Sequence, residues 1–151
     1  MNKLFERYVS ELIRLHSPED VTVETQNTLY LDIERRVQLI PDIVVKRDGR
    51  VVAVADCKYK LSAPDEFKNH DVYQVLTYLV ATGAPVGMLI YPSVGARSTD
   101  ALSVVDLPVD ILQAPFPLNA PSEQVSVHAE SLVGELLGET PMRNATEPVY
   151  V

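Results

Sequence analysis

Residues 3–16, KLFERYVSELIRLH, place apolar side chains at helical spacing. At about 3.6 residues per turn, Leu4, Phe5, Tyr8, Val9, Leu12, Ile13 and Leu15 fill one continuous half of the surface. Arg7, Ser10 and Arg14 fill the other half, and Glu6 stands on the border beside Ile13. Ser17-Pro18 ends the helix, because a residue before proline avoids the α region. Three runs rich in β-branched residues follow: VTVETQNTLYL (21–31), RVQLIPDIVVKRD (36–48) and RVVAVADCKYK (50–60). Asp48-Gly49 between the last two is a hairpin signal. Val51 to Ala55 is unbroken apolar sequence, which predicts a strand covered on both faces.

A second helix is predicted over 65–82, closed by Gly83 and then Pro85. Its apolar stripe is Val72, Val75, Leu76, Leu79 and Val80, while Asp71, Gln74 and Tyr78 share a different face. VGMLIYP (86–92) reads as a short buried strand, and 103–112 as one or two strands broken by Pro108. Residues 114–121 carry three prolines and read as a linker. Residues 122–138 then give a helix whose stripe (Val125, Leu132, Val133, Leu136, Leu137) either caps the sheet or forms a dimer contact. A loose tail is expected over 139–151. The order is α-β-β-β-α-β followed by an appendage, dividing the chain into a core of residues 1–112 and a C-terminal segment of 113–151.

The 151 residues, 46% of them apolar, suffice for one domain with a proper core. One cysteine, Cys57, excludes a disulfide framework and a four-cysteine zinc site. No apolar run is long enough for a membrane span, and the start has no signal-peptide core, so a soluble cytoplasmic protein without a membrane partner is expected. A net charge of −8 opposes non-specific affinity for nucleic acid. That average hides an asymmetry. Residues 1–70 hold 11 Lys/Arg against 12 Asp/Glu, whereas 71–151 hold 2 against 9, so a polyanion is expected to approach the first half.

The chemistry lies in Ile40-Pro41-Asp42 and Val54-Ala55-Asp56-Cys57-Lys58. Asp42 and Asp56 fall in runs joined by a hairpin, so their carboxylates can be neighbours across paired strands. Strand parity projects Asp56 and Lys58 together and turns Cys57 into the opposite layer. Two acids and an ammonium on one side of an apolar sheet are costly without a compensating cation or a function.

This order and the PD…DxK pattern resemble the PD-(D/E)xK nuclease superfamily, and the likeness runs through residues 1–112. Gln74-Val75-Leu76-Thr77-Tyr78 resembles the QxxxY motif of its RecB-like branch. LFERYV, PDIVVKRDGRVVAVADCKYK, DVYQVLTYLVATG and LIYP are similar to the C-terminal nuclease domain of the McrC family, the cleavage subunit of a modified-cytosine restriction system. The resemblance implies a restriction-endonuclease-like α/β fold and Mg²⁺-dependent hydrolysis of DNA phosphodiester bonds, with Mn²⁺ as a substitute. By the same resemblance, Asp42, Asp56 and the backbone carbonyl of Cys57 are metal ligands, with Glu6 as a further ligand favouring a second ion. Lys58 orients or helps deprotonate the attacking water and offsets transition-state charge, Gln74 and Tyr78 position the nucleophile or a phosphate, and Lys60 contacts DNA. Implied partners are DNA, an McrB-like GTPase subunit and, since cutting both strands at once takes two sites, a second copy of the chain. The part of the family that engages the GTPase has no counterpart in this sequence, which leaves GTP dependence and methyl selectivity open.

Blander readings stand beside these. Asp42 after proline suits a strand entry, Asp56 and Lys58 suit a structural ion pair, and Glu6 suits the dipole of its helix. Gln74 and Tyr78 off the apolar stripe suit a solvated face, and Lys60 at a strand end is ordinary. Cys57 lacks the surroundings of a nucleophile, and His16, His70 and His128 show no metal-ligand spacing. GxSxG and the phosphate-cradling GxxxxGK[ST] are both absent. The alternative to a nuclease is a non-catalytic DNA- or protein-binding module that keeps the fold.

Overall fold

The computed structural model describes residues 3–59, 67–94 and 98–139. Its first helix, α1 (Lys3–His16), buries Phe5, Val9 and Ile13 along one line, together with Ser10. The contact stripe is therefore narrower than the half-surface expected from the sequence, and Leu4 and Leu15 are each 76% exposed. Ser10 was placed on the polar side, yet it is buried because its hydroxyl donates to Arg7 O at 3.0 Å and so carries its own partner inward.

The β-rich runs become a six-stranded mixed sheet and a small ribbon. The sheet contains β1 (Val21–Thr25), β4 (Ile43–Arg47), β5 (Arg50–Cys57), β6 (Val86–Ser93), β7 (Asp100–Ser103) and β8 (Asp110–Pro117), in the spatial order β1-β4-β5-β6-β8-β7. The ribbon is β2 (Leu29–Tyr30) paired with β3 (Gln38–Leu39). Two of the three expected strands are thus split, with the ribbon inserted between β1 and β4. Asp32 stabilises its turn by accepting the N–H groups of Arg36 and Val37 at 2.8 Å each.

β4 and β5 form the expected hairpin. Asp48 and Gly49 both have positive φ (52° and 76°), the backbone that matches the twist of a two-residue turn. β5 then runs parallel to β6, which requires a crossover. Helix α2 (Asn69–Thr82) supplies it and stops at Gly83, whose φ of 74° lets its N–H reach Leu79 O at 2.8 Å.

Each sheet face carries its own core. Ala53, Ala55 and Cys57 of β5 face α1 and helix α3 (Ser122–Leu136), whereas Val54 faces α2. Alternation along β5 therefore separates Cys57 from Asp56, as parity requires. Gly87 of β6 lies directly under α2, where an added Cβ would sit 2.3 Å from Val75 Cγ1 and 3.1 Å from Leu79 Cδ1. Gly87→Ala must displace the Val75 side chain or the helix that carries it, and a loss of about 1–3 kcal/mol is expected in urea or thermal denaturation.

The proline-rich segment differs from expectation. Residues 113–117 lie within β8, parallel to β6, so the division after residue 112 falls inside a strand. Leu118 N–H donates to Ser93 O, so residues 114, 116 and 118 aim their amides at β6, and positions 115 and 117 aim away. Among the described residues β7 pairs only with residues 110–113, so Pro115 and Pro117 fall where no described strand calls for an amide. α3 buries Ala129 and places Leu132, Val133 and Leu136 in the core shared with α1, which settles its stripe as a sheet cap. Among the described residues no helix is long and apolar enough to cross a membrane.

Candidate active site

Asp42 stands just ahead of β4, and Asp56 and Lys58 stand at the end of β5, so the hairpin brings all three to one end of the sheet. Ile43 pairs with Ala55, which puts Asp42 and Asp56 side by side. Their carboxyl groups hydrogen-bond to each other. Asp42 Oδ2 also accepts the Cys57 N–H at 2.9 Å. Each aspartate is only 5% exposed. Burial first, and the Asp56 charge second, push the Asp42 carboxyl up to about 7, while the Cys57 N–H works against that rise. Burial beside a second carboxyl thus favours the neutral form of Asp42, which marks a place short of positive charge.

Among the described residues, the cation beside this pair is Lys58. Its ammonium lies 2.6 Å from Asp56 Oδ2 and donates to Gln74 Oε1, also at 2.6 Å. Its main-chain N–H is fixed to Ile90 O of β6 at 2.8 Å. Gln74 and Tyr78 both come from α2, one turn apart, and hydrogen-bond to each other. Tyr78 is 3% exposed, so the solvated reading of that face fails for it. Burial, followed by the charges of Asp56 and Asp42, raises its hydroxyl well above the ordinary tyrosine range, so it remains a neutral phenol.

Glu6 approaches from α1. Its carboxylate accepts the Gln26 side-chain amide at 2.5 Å on the exposed side, and its charge contributes to the rise at Asp42. Among the described residues no three His, Cys, Asp or Glu side chains are grouped to hold a metal ion, so Glu6 sits at the margin of the acid pair. Lys60 lies outside the described residues. Cys57 is buried in the opposite layer, and burial together with the nearby carboxylates raises its thiol well above the usual range, which disfavours a thiolate nucleophile.

The donors suit a hard divalent cation. Asp42 and Asp56 offer carboxylate oxygens, and Cys57 aims its carbonyl at the same strand edge as the N–H that Asp42 accepts. A cation there would relieve the repulsion that, with burial, raises the Asp42 carboxyl.

Two members of the cluster were not singled out from the sequence. Asp71, in the first turn of α2, is 3% exposed, and its Oδ2 accepts the hydroxyl of the fully buried Tyr91 at 3.0 Å. The sequence did place Asp71 on the face of Gln74 and Tyr78, and that was the available signal. Tyr91 was concealed in an apolar strand. With these polar groups turned inward, α2 is rotated from the expected stripe, and Val80 is 62% exposed.

A mixed sheet flanked by helices, with paired carboxylates and a lysine at the ends of neighbouring strands, defines a restriction-endonuclease-like α/β fold. Residues 1–92 match the family described as McrBC 5-methylcytosine restriction system component. That match spans more than half of the chain, and the chain belongs to this family. No curated protein matched the sequence. Among solved structures, the fold is similar to a chain of the refined half-complex from the tetradecameric assembly of Thermococcus gammatolerans McrB AAA+ hexamers with bound McrC. The TM-score is 0.71 at 19% identity, covering 87% of this chain and 32% of that one. The chain thus spans about a third of the length of the relative it matches. A protein of unknown function, AF1548, gives a TM-score of 0.48 at 12% identity, covering 84% of this chain and 65% of that one.

Proposed function

We propose that this chain is a Mg²⁺-dependent endodeoxyribonuclease that hydrolyses DNA phosphodiester bonds as the nuclease part of an McrC-like restriction system. The observation that carries the reading is the contact between the Asp42 and Asp56 carboxyls, with the Lys58 ammonium 2.6 Å from Asp56. Such a group costs stability in a protein that does nothing with it.

Asp42, Asp56 and the carbonyl of Cys57 would hold the ion, with Mn²⁺ as a substitute and Glu6 at the margin for a second. When bound, the ion would polarise the phosphate and supply an activated water. The residues of the chain do the rest. Asp42 releases to solvent the proton that its burial favours. Lys58, released in part from Asp56, offsets charge on a phosphate oxygen or helps orient the attacking water. Gln74 fixes the Lys58 ammonium, and Tyr78, as a neutral phenol beside both acids, donates to an oxygen of the substrate or nucleophile.

The T. gammatolerans assembly contains McrB AAA+ hexamers with bound McrC, and by that likeness an McrB-like GTPase is the proposed motor partner. Lys60 is proposed to contact DNA. A second copy of the chain would supply the second active site for a double-strand cut.

The test is incubation of supercoiled plasmid with Mg²⁺ or Mn²⁺, alone and with an McrB-family motor plus GTP, beside an Asp56→Ala control. Metal-dependent nicking at least about 100-fold above the control is expected, in line with the loss of a metal-ion contribution. Nicking that persists in the control places the activity elsewhere. Absence of cleavage in every arm favours the non-catalytic binding module.

A further inference from the structure

The proposed mechanism leaves one buried carboxylate without a part. Asp71 is closed off from water, and burial of a charge is tolerated only with partners. Its Oδ2 accepts the Tyr91 hydroxyl at 3.0 Å, and its Oδ1 lies 3.8 Å from Lys58 Nζ. Burial and the Asp71 charge raise the Tyr91 hydroxyl far above its ordinary range, so it remains a donor.

These contacts close a ring through three elements. The Lys58 amide is fixed to Ile90 O of β6, and Tyr91 follows Ile90 directly. Tyr91 holds Asp71 of α2, and Asp71 lies beside the Lys58 ammonium as a second carboxylate besides Asp56. Gln74, three residues along the same helix, takes the ammonium as an acceptor. Backbone and side chain of Lys58 are thus referred to the same two neighbours.

The distances divide the work. At 2.6 Å, Asp56 and Gln74 are the direct partners of the ammonium, whereas Asp71 at 3.8 Å acts on it through charge. A cation on Asp56 would draw that carboxylate's charge away from Lys58. Asp71 would then be the carboxylate that keeps the ammonium in place.

We infer that Asp71, oriented by Tyr91, is a positioning residue that holds the Lys58 ammonium between Asp56 and Gln74. This rests on the nuclease reading for its use, but the positioning itself is measurable without metal or DNA.

The experiment uses the full chain labelled with ¹³C-lysine, and compares wild type with Asp71→Asn and Tyr91→Phe. The first readout is ¹³C relaxation at Lys58 Cε in the metal-free protein. A rigid Cε in wild type that becomes mobile in both variants is expected. The second is cleavage kinetics, where kcat should fall at least about 10-fold in Asp71→Asn with KM for DNA changed less than about 3-fold. Calorimetric Mn²⁺ affinity should likewise stay within about 3-fold of wild type, as fits a residue that ligates nothing. If Asp71→Asn does not fold, Tyr91→Phe, which removes one hydroxyl, gives the Cε measurement alone. Unchanged Cε mobility in the variants that fold overturns the positioning role, whatever the cleavage result. A rigid wild-type Cε loosened in the variants, in a protein that cleaves nothing, upholds the positioning and sinks only the nuclease reading.

Discussion

Asp42→Asn is expected to lower the proposed metal-dependent cleavage by at least about 100-fold and, at the same time, to make the metal-free protein harder to melt at pH 8. The two effects share a cause. At pH 8 the Asp42 carboxyl, held up to about 7 by burial and by Asp56, is ionised against both. Asparagine cannot ionise, yet its oxygen still accepts the Cys57 N–H and its amide can donate to Asp56 where the proton sat. Relief of about 1–3 kcal/mol is expected, discounted for relaxation around the site, which raises the melting temperature by roughly 2–10 °C in a chain of this size. A thermal melt with and without metal checks it. A lower melting temperature than wild type would show that the acid pair is not under electrostatic load.

Between pH 5.5 and 8, the metal-free wild type loses stability relative to Asp42→Asn by about 1–2 kcal/mol. The sign follows from the direction of the shift. Asp42 binds its proton more tightly folded, at about 7, than unfolded, at the ordinary carboxylate value. Its stabilising contribution is therefore complete below the unfolded value and disappears as pH rises through about 7. Glu135 is also raised, by burial, and adds a trend of the same sign, so the difference between wild type and variant isolates Asp42. A divalent ion at the acid pair would compete with the Asp42 proton, so Mn²⁺ affinity in wild type should rise about tenfold per pH unit below about 7 and level off above. Calorimetry at pH 5.5, 6.5 and 8 reads this. Affinity independent of pH would show that metal binding does not compete with a proton on Asp42.

The acid–lysine arrangement was legible because strand parity is strict. Once Val51 to Ala55 is a strand, Asp56 and Lys58 share a face and Cys57 cannot join them. Asp48-Gly49 was equally readable, since two positive φ angles in succession are what that pair of residues tolerates best. Hydrophobic periodicity failed where polar groups find tertiary partners. Asp71 and Tyr78 turn inward because Tyr91, Lys58 and Gln74 meet them there, and Val80 turns outward in exchange. Ser10 is the same case on α1, with Arg7 O as its partner. The prolines of β8 misled for a different reason: a run of prolines signals a linker unless the neighbouring strand is known to stop at Gln113. Glu6 could be placed near the site but not within bonding distance of the acid pair, because the pitch of a helix over a sheet is set by packing and not by local sequence.

Pro115 and Pro117 also govern how copies of this protein can meet. Among the described residues no strand pairs with the flank where these prolines stand, and a strand added there would meet two positions without donors, so a continuous ladder could not be completed. Self-association by strand addition is thereby blocked along the outer flank of the C-terminal half of β8, and a pairing of two copies there must use side-chain surfaces instead.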